Sequence, residues 1–155
     1  MSYAQLRFQQ MPKGMPMMSY IWNLNNPNFP ETTINPHSPL CTMTFNPKNS
    51  DTFFAGCYNG SLARFDTRKG SIKGVQPTEV TTLEKSHHDP VYDVYNLTHV
   101  KGGYEWASTS TDGRVLWWDN RNFSAPVDSI LMQENFNVGD QVVPKILGGT
   151  SLEYY

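Results

Sequence analysis

Ala55-Gly56-Cys57-Tyr58-Asn59-Gly60-Ser61-Leu62-Ala63-Arg64-Phe65-Asp66-Thr67-Arg68 is answered, after a constant shift of 53 positions, by Ser108-Thr109-Ser110-Thr111-Asp112-Gly113-Arg114-Val115-Leu116-Trp117-Trp118-Asp119-Asn120-Arg121. Asn-Gly faces Asp-Gly, Phe-Asp faces Trp-Asp, and the closing Arg is shared. Upstream, Ser38-Pro39-Leu40 faces Asp89-Pro90-Val91 at a shift of 51, which places the two extra residues of the second copy in the loop at Lys101-Gly102-Gly103. Ser19-Tyr20-Ile21-Trp22-Asn23 is a partial third copy of the strand that ends in Trp-Asp. Self-similarity at this period marks small units that each need a neighbour to bury an apolar face.

Each copy reads as strands separated by tight turns. Asn59-Gly60 and Asp112-Gly113 are dipeptides that supply two positive-φ positions, so each is expected at a hairpin tip with a type I′ turn. In the first full copy, residues 40–45 and 52–57 are expected strands, 61–66 returns across the turn, and 71–75 is a weaker outer strand. In the second copy the strands are 91–97, 104–110, 114–119 and 127–131. No stretch repeats apolar residues at helical spacing for several turns. The expected fold is therefore all-β, with four antiparallel strands per copy and each copy one blade of a β-propeller. Residues 1–36 form a partial blade with a hairpin loop rich in Met and Pro (Met11, Pro12, Met15, Pro16, Met17, Met18), and 37–85 and 86–132 are whole blades. Residues 133–155 hold a long polar loop, 133–144, and the first strand of the next blade at Ser151-Leu152-Glu153-Tyr154.

Ser86-His87, Val91, Ser108, Asp112-Gly113 and Trp118-Asp119 resemble a WD repeat, from its Gly-His-like opening to its Trp-Asp close. In that family a His, a Ser or Thr, an Asp and a Trp form a buried hydrogen-bonded set within a blade. The matching positions are His87, Ser108, Asp112 and Trp118. Satisfying such groups together pins the strands that carry them. The first full copy departs at all four places, with Pro36, Ala55, Asn59 and Phe65, and is expected to lose the polar set and rely on packing.

A longer series of words is more specific. Ser19-Tyr20-Ile21-Trp22-Asn23-Leu24, Phe45-Asn46-Pro47-Lys48, Gly56-Cys57-Tyr58-Asn59-Gly60 and Asp66-Thr67-Arg68-Lys69-Gly70-Ser71 come first. Ser86-His87-His88-Asp89-Pro90-Val91-Tyr92, Ser110-Thr111-Asp112-Gly113 and Trp117-Trp118-Asp119 follow in order. Together they closely resemble the propeller domain of the axonemal outer-arm dynein intermediate chains, from near Leu6 to the end of the chain. The resemblance implies a non-catalytic subunit of a microtubule motor in the cytoskeleton of cilia and flagella. Its propeller grips a helical segment of a dynein heavy-chain tail, pairs with a second intermediate chain and helps tie the motor to the axoneme. Light chains bind such proteins through an N-terminal extension that this sequence does not contain, so their binding is not carried over. A closed propeller has about seven blades in that family. The chain is accordingly expected to be a fragment of a longer product.

Composition narrows the other readings. With 12 basic and 14 acidic residues, a formal net charge of −2 and no Lys/Arg run, the chain has no electrostatic footprint for nucleic acid or an anionic membrane. The start of the chain has no apolar core of the kind a signal peptide or membrane span needs. Cys41 and Cys57 lack a Cys-x-x-Cys partner and read as free thiols in strands. No Gly-x-x-x-x-Gly-Lys-Ser/Thr loop is present, so nucleotide hydrolysis is unsupported. His87-His88-Asp89 is not expected to hold a metal, because adjacent residues on a strand point to opposite faces. Ser108, His87 and Asp112 have the residue types of a hydrolase triad, yet Ser108 lies within a strand with no strained turn to present its hydroxyl. No catalytic residue, metal or cofactor is expected.

Partner-facing positions are read from expected exposure at loops and turns: Tyr58, Asn59, Arg68, His88 and Arg121. Asp66-Thr67-Arg68 and Asp119-Asn120-Arg121 repeat an acid-x-Arg unit after the third strand, expected as a turn with an Arg–carboxylate contact. Trp118-Asp119-Asn120-Arg121 also spells the box by which WD-repeat receptors of cullin ubiquitin ligases dock on an adaptor, which is an alternative function. A cytoplasmic dynein intermediate chain carrying cargo is another. Trp117 is expected to wedge between blades.

An open stack of blades exposes unpaired edges and a half-lined core. Expressed alone, residues 1–155 are expected to be insoluble or partly unfolded. A monodisperse sample with a cooperative thermal transition contradicts this.

Overall fold

The computed structural model of the chain describes residues 17–97, 105–138 and 141–153. Phe53 and Phe54 are neighbours on one strand and so point to opposite sides of its sheet, yet both are fully buried. Something must therefore cover each side. The strands are β1 Ser19–Ile21, β2 Thr32–Ile34, β3 Leu40–Asn46, β4 Asn49–Cys57, β5 Leu62–Ser71, β6 Gly74–Val80, β7 Val91–Asn96, β8 Trp106–Ser110, β9 Arg114–Trp118, β10 Asp128–Leu131, β11 Gln133–Val138 and β12 Gln141–Ile146. Among the described residues there is no α-helix, and one 3₁₀ turn lies at Leu83–Lys85.

Two antiparallel meanders dominate, β3-β4-β5-β6 and β7-β8-β9-β10. The β1–β2 hairpin joins the first sheet at its outer edge, where β2 runs parallel to β6 through Ile34 and Val75. The fold is an all-β propeller segment.

Phe53 faces a core of Ile34, Leu40, Ala55, Cys57, Ala63, Phe65 and Val75, stacked on Phe65 at 4.8 Å between centroids. Phe54 enters the second sheet. Its ring lies 3.9 Å from that of Trp106 and 5.1 Å from Phe123, and Leu62, Val91, Val94, Leu116 and Trp118 complete the cluster. Gly56 lets the sheets approach: a Cβ there would lie 2.6 Å from both Cβ and Cγ1 of Val91. Polar contacts border this seam. Thr44 Oγ1 donates to Val94 O at 2.7 Å, and Thr82 Oγ1 donates to Ser124 O at 3.1 Å.

Asn59-Gly60 and Asp112-Gly113 stand at hairpin tips, and Trp118 lies in a strand. The turn type differs from the sequence expectation. Gly60 and Gly113 have φ of +89° and +81°, while no described non-glycine residue has positive φ. Gly60 N–H donates to Cys57 O at 3.1 Å and Cys57 N–H to Ser61 O at 2.9 Å, the pattern of a three-residue loop with a glycine bulge. The Asx side chain then serves as an acceptor: Ser61 N–H reaches Asn59 Oδ1 and Arg114 N–H reaches Asp112 Oδ1.

Three further expectations are corrected. The outer strand of the first sheet is Gly74–Val80, not 71–75, because β5 continues to Ser71 and the turn falls at Ile72-Lys73, with Gly74 at φ +93°. The stretch expected as a polar loop, 133–144, lies largely in the β11–β12 hairpin, with Phe136 opposite Val143 and Asn135 opposite Pro144. Ser151, Leu152 and Glu153 form no strand, but Ser151 Oγ and Leu152 N–H both donate to Asp93 Oδ2, at 3.1 and 2.9 Å. The Met-rich loop through Met15 and the Lys101-Gly102-Gly103 loop lie outside the described residues.

Removing the Phe54 ring empties the seam, so Phe54→Ala is expected to cost about 3–5 kcal/mol. Gly56→Ala overpacks Val91 and is expected to cost about 1–3 kcal/mol. Chemical denaturation of a soluble preparation containing both sheets measures each, and losses under about 0.5 kcal/mol contradict the packing.

Candidate functional site

His87 enters from the link between the sheets, Ser108 from the centre of β8, Asp112 from the β8–β9 turn and Trp118 from the end of β9. Hydrogen bonds join all four. Trp118 Nε1–H donates to Ser108 Oγ at 2.8 Å, and His87 Nε2 lies 2.8 Å from the same oxygen. His87 Nδ1 lies 3.2 Å from Asp112 Oδ1. Each group satisfies another only if Ser108 donates to Nε2 and Nδ1–H donates to Asp112, which assigns a neutral imidazole. Burial is the main cause lowering the His87 pKa, against the opposing pull of Asp112. Asp112 also accepts from His88 N–H at 3.0 Å, tying the turn to the incoming link. His87 N–H in turn donates to Gly60 O at 3.2 Å, where a Cβ on Gly60 would strike the His87 carbonyl.

The order Asp112–His87–Ser108 has the connectivity of a hydrolytic triad, but Ser108 is fully buried. Its oxygen is occupied by the Trp118 indole and its proton by His87, so the hydroxyl is closed off from a substrate. Among the described residues, no three His, Cys, Asp or Glu side chains are grouped to hold a metal ion.

The first sheet has a polar set of its own, contrary to expectation. His37 Nε2 lies 2.9 Å from Ser61 Oγ, and Ser61 Oγ donates to Asn59 Oδ1 at 2.7 Å. The residues at the matching positions, Pro36, Ala55 and Phe65, cannot form it. The hydroxyl has instead moved across the hairpin to the residue after Gly60, and the imidazole has moved one place along. Sequence reading missed this because it compared only aligned positions; the signal was a His and a Ser each displaced slightly from register.

The five positions expected to face a partner do not form one surface. Tyr58, Asn59 and His88 lie at the end of the strands marked by Gly60. Tyr58 is half-buried, whereas Asn59 and His88 are exposed. Arg68 and Arg121 lie at the opposite end, since Asp66 pairs across from Thr52 and Trp118 from Trp106, at the starts of β4 and β8. Both guanidiniums fork onto their own acid. Arg68 reaches Asp66 at 2.9 and 2.8 Å, and Arg121 reaches Asp119 at 3.0 and 2.6 Å. Arg68 holds the Asp66 carboxyl down at about 2, and Arg121 lowers Asp119 in the same way. The first of these units lies within β5 rather than in a turn; only the second forms the expected turn, closed by the Asp119–Asn122 bridge. Trp117, expected between blades, is half-buried and lines a groove with Tyr95, Leu97, Val115, Ile130 and Leu152 on the far face of the second sheet.

No protein-family model matches the sequence. The chain is 45% identical over 153 residues to dynein axonemal intermediate chain 2 of Homo sapiens, covering 99% of this chain and 24% of that protein. It is 43% identical over 153 residues to the 70 kDa intermediate chain of the flagellar outer arm dynein of Chlamydomonas reinhardtii, covering 99% of this chain and 25% of that protein. Ciliary dynein intermediate chain 3 of Heliocidaris crassispina is 46% identical over 131 residues, 84% of this chain and 21% of that protein. Over these residues the chain belongs to the axonemal dynein intermediate chains. It spans about a quarter of the length of the first two of these relatives. Within this family segment, the buried polar set and the aromatic seam are the features that fix how the turns are presented.

The lowered His87 pKa sets a pH dependence. Below its ordinary value of 6.5 the unfolded chain binds a proton that the folded chain resists, so stability present above that pH is lost as pH falls toward the folded value. The denaturation midpoint is expected to fall across this window. His37 is lowered by burial too, so the His87 share is read from the difference against His87→Gln, which should be less stable at neutral pH and flatter with acidification. Equal slopes for the two proteins contradict the neutral assignment.

Proposed function

We propose that the chain is part of a non-catalytic scaffold subunit of an axonemal outer-arm dynein, acting in cilia or flagella. Its propeller holds the tail of a dynein heavy chain and a second intermediate chain, and so supports assembly of the motor and its attachment to the axoneme. The observation that carries this reading is identity above 40% across nearly the whole chain to proteins named for the axoneme and the flagellar outer arm. The geometry supports a scaffold rather than an enzyme, because the Ser108–His87–Asp112 constellation is buried and internally satisfied.

The mechanism is rigid display. Stacked sheets fix the turns at their ends, so a partner is bound with little loss of conformational freedom on this side of the interface. The comparisons do not favour a cullin-ligase receptor or a cytoplasmic intermediate chain. Arg121, the arginine of the ligase-type box, is engaged by Asp119.

High-salt extraction of demembranated cilia tests the proposal. The protein carrying this segment is expected in the salt-released motor fraction together with a dynein heavy chain. Its absence from that fraction contradicts the reading.

A further inference from the structure

β11 and β12 form a hairpin that leaves the second sheet where β10 ends and closes at Leu147. Met132 N–H donates to Gly113 O at 2.7 Å, and a Cβ on Gly113 would strike Ile146 Cγ2, so the base of the hairpin rests on the β8–β9 turn. Beyond that base the hairpin stands in solvent. Residues 133–137 and 142–146 are all exposed, Phe136, Val142 and Val143 included, and among the described residues no third strand joins the pair. Two strands alone are marginally stable in water.

The two edges are built differently. Leu147 N–H donates to Met132 O at 3.0 Å, which fixes the alternation of the ladder above it. Glu134 and Phe136 therefore exchange backbone bonds with Lys145 and Val143. Gln133, Asn135 and Asn137 on one edge, and Val142, Pro144 and Ile146 on the other, turn their backbone groups outward. Proline at 144 leaves the middle of the β12 edge without a donor, a guard against strand addition. The β11 edge has no such block. Its three outward residues each offer an N–H and a C=O, and none of these is bonded to a described residue.

Side chains on that edge specify what it takes. Glu134 and Phe136 share one face of the hairpin, and Asn135 and Asn137 share the other. Lys145 lies opposite Glu134 on β12, but its ammonium sits over the Phe136 ring, 5.2 Å from the centroid, and Glu134 makes no ion pair with a described residue. An added strand lies about 4.8 Å from β11 on the side away from Lys145, where it meets the carboxylate and the ring directly. β11 itself contains no cation, so the same strand of a second copy cannot complement Glu134.

We infer that the β11 edge accepts an extended segment of a partner protein as a third strand, one in which a basic residue faces Glu134 and an apolar residue two places away faces Phe136. Backbone bonds to residues 133, 135 and 137 set the register, and polar side chains suit the face of Asn135 and Asn137. This edge is separate from the aromatic seam and the buried polar set, and the inference does not depend on the motor assignment.

The test uses the full-length protein carrying this segment and a fluorescent synthetic peptide, Thr-Lys-Thr-Val-Thr-Val-Thr. Wild type is expected to bind it, and to bind the same peptide with Glu in place of Lys several-fold more weakly. Asn135→Pro removes an outward donor without touching a β11–β12 bond and is expected to weaken binding by about tenfold or more. Val142→Pro makes the same change on the guarded edge and should bind like wild type. Glu134→Lys should reverse the preference between the two peptides. N-methylation of the peptide at its threonines leaves the protein untouched and should abolish binding. Adding the unmodified peptide should slow hydrogen exchange at the amides of Gln133, Asn135 and Asn137 and leave those of Val142 and Ile146 unchanged. No binding by wild type, equal losses from the two proline variants, or an unchanged preference in Glu134→Lys overturns the inference. Slow exchange at the β11 amides before peptide is added assigns the edge to another part of the same chain. A dimer broken by Asn135→Pro assigns it to a second copy, and either result also overturns the inference.

Discussion

The insertion of Phe54 into the second sheet is the contact on which the rest of this structure depends. Its ring leaves β4 on the side opposite Phe53 and meets Trp106, Phe123 and the aliphatic residues of β7 and β9. Neither sheet alone can bury both of its faces, because a strand with apolar residues on alternate sides needs cover on each. The close approach permitted at Gly56, with Val91 packed over it, sets the spacing of the two sheets. Every turn that faces solvent inherits its position from that spacing.

The polar set behind the seam adds direction to packing. Trp118, Ser108, His87 and Asp112 form one chain of donors and acceptors that begins in a core strand and ends in a turn. Apolar contacts tolerate small sliding, whereas a shared hydroxyl between an indole and an imidazole does not. The backbone link from His87 to Gly60 then carries the same register into the first sheet. The His37–Ser61–Asn59 set performs the corresponding task there with different residues. The requirement conserved between the two copies is satisfaction of the turn, not the identity of the groups.

Much of this was legible because glycine and tryptophan occupy positions with few alternatives. Gly60 and Gly113 need positive φ, and Trp118 needs both a deep core and a partner for its N–H, so a shift of 53 residues was enough to place three strands of the first copy and four of the second. The β11–β12 hairpin escaped notice because Glu134, Asn135 and Asn137 alternate with few apolar residues, and an exposed hairpin has no buried face to imprint a pattern. The outer strand was set too early because Ser71 and Ile72 suit a strand locally, and only the Lys73-Gly74 pair marks the turn. Partner-facing residues were the least legible. Arg68 and Arg121 look available in sequence, but each is held by an acid two residues earlier, a pairing that spacing alone does not fix.

Coupling between the two sheets is the central claim, and a double-mutant cycle between Phe54→Ala and Trp106→Ala tests it most directly. Ring centroids 3.9 Å apart predict an interaction energy of about 0.5–3 kcal/mol in denaturation experiments. Strictly additive losses, with no coupling beyond experimental error, would contradict the stacked arrangement from which the rest follows.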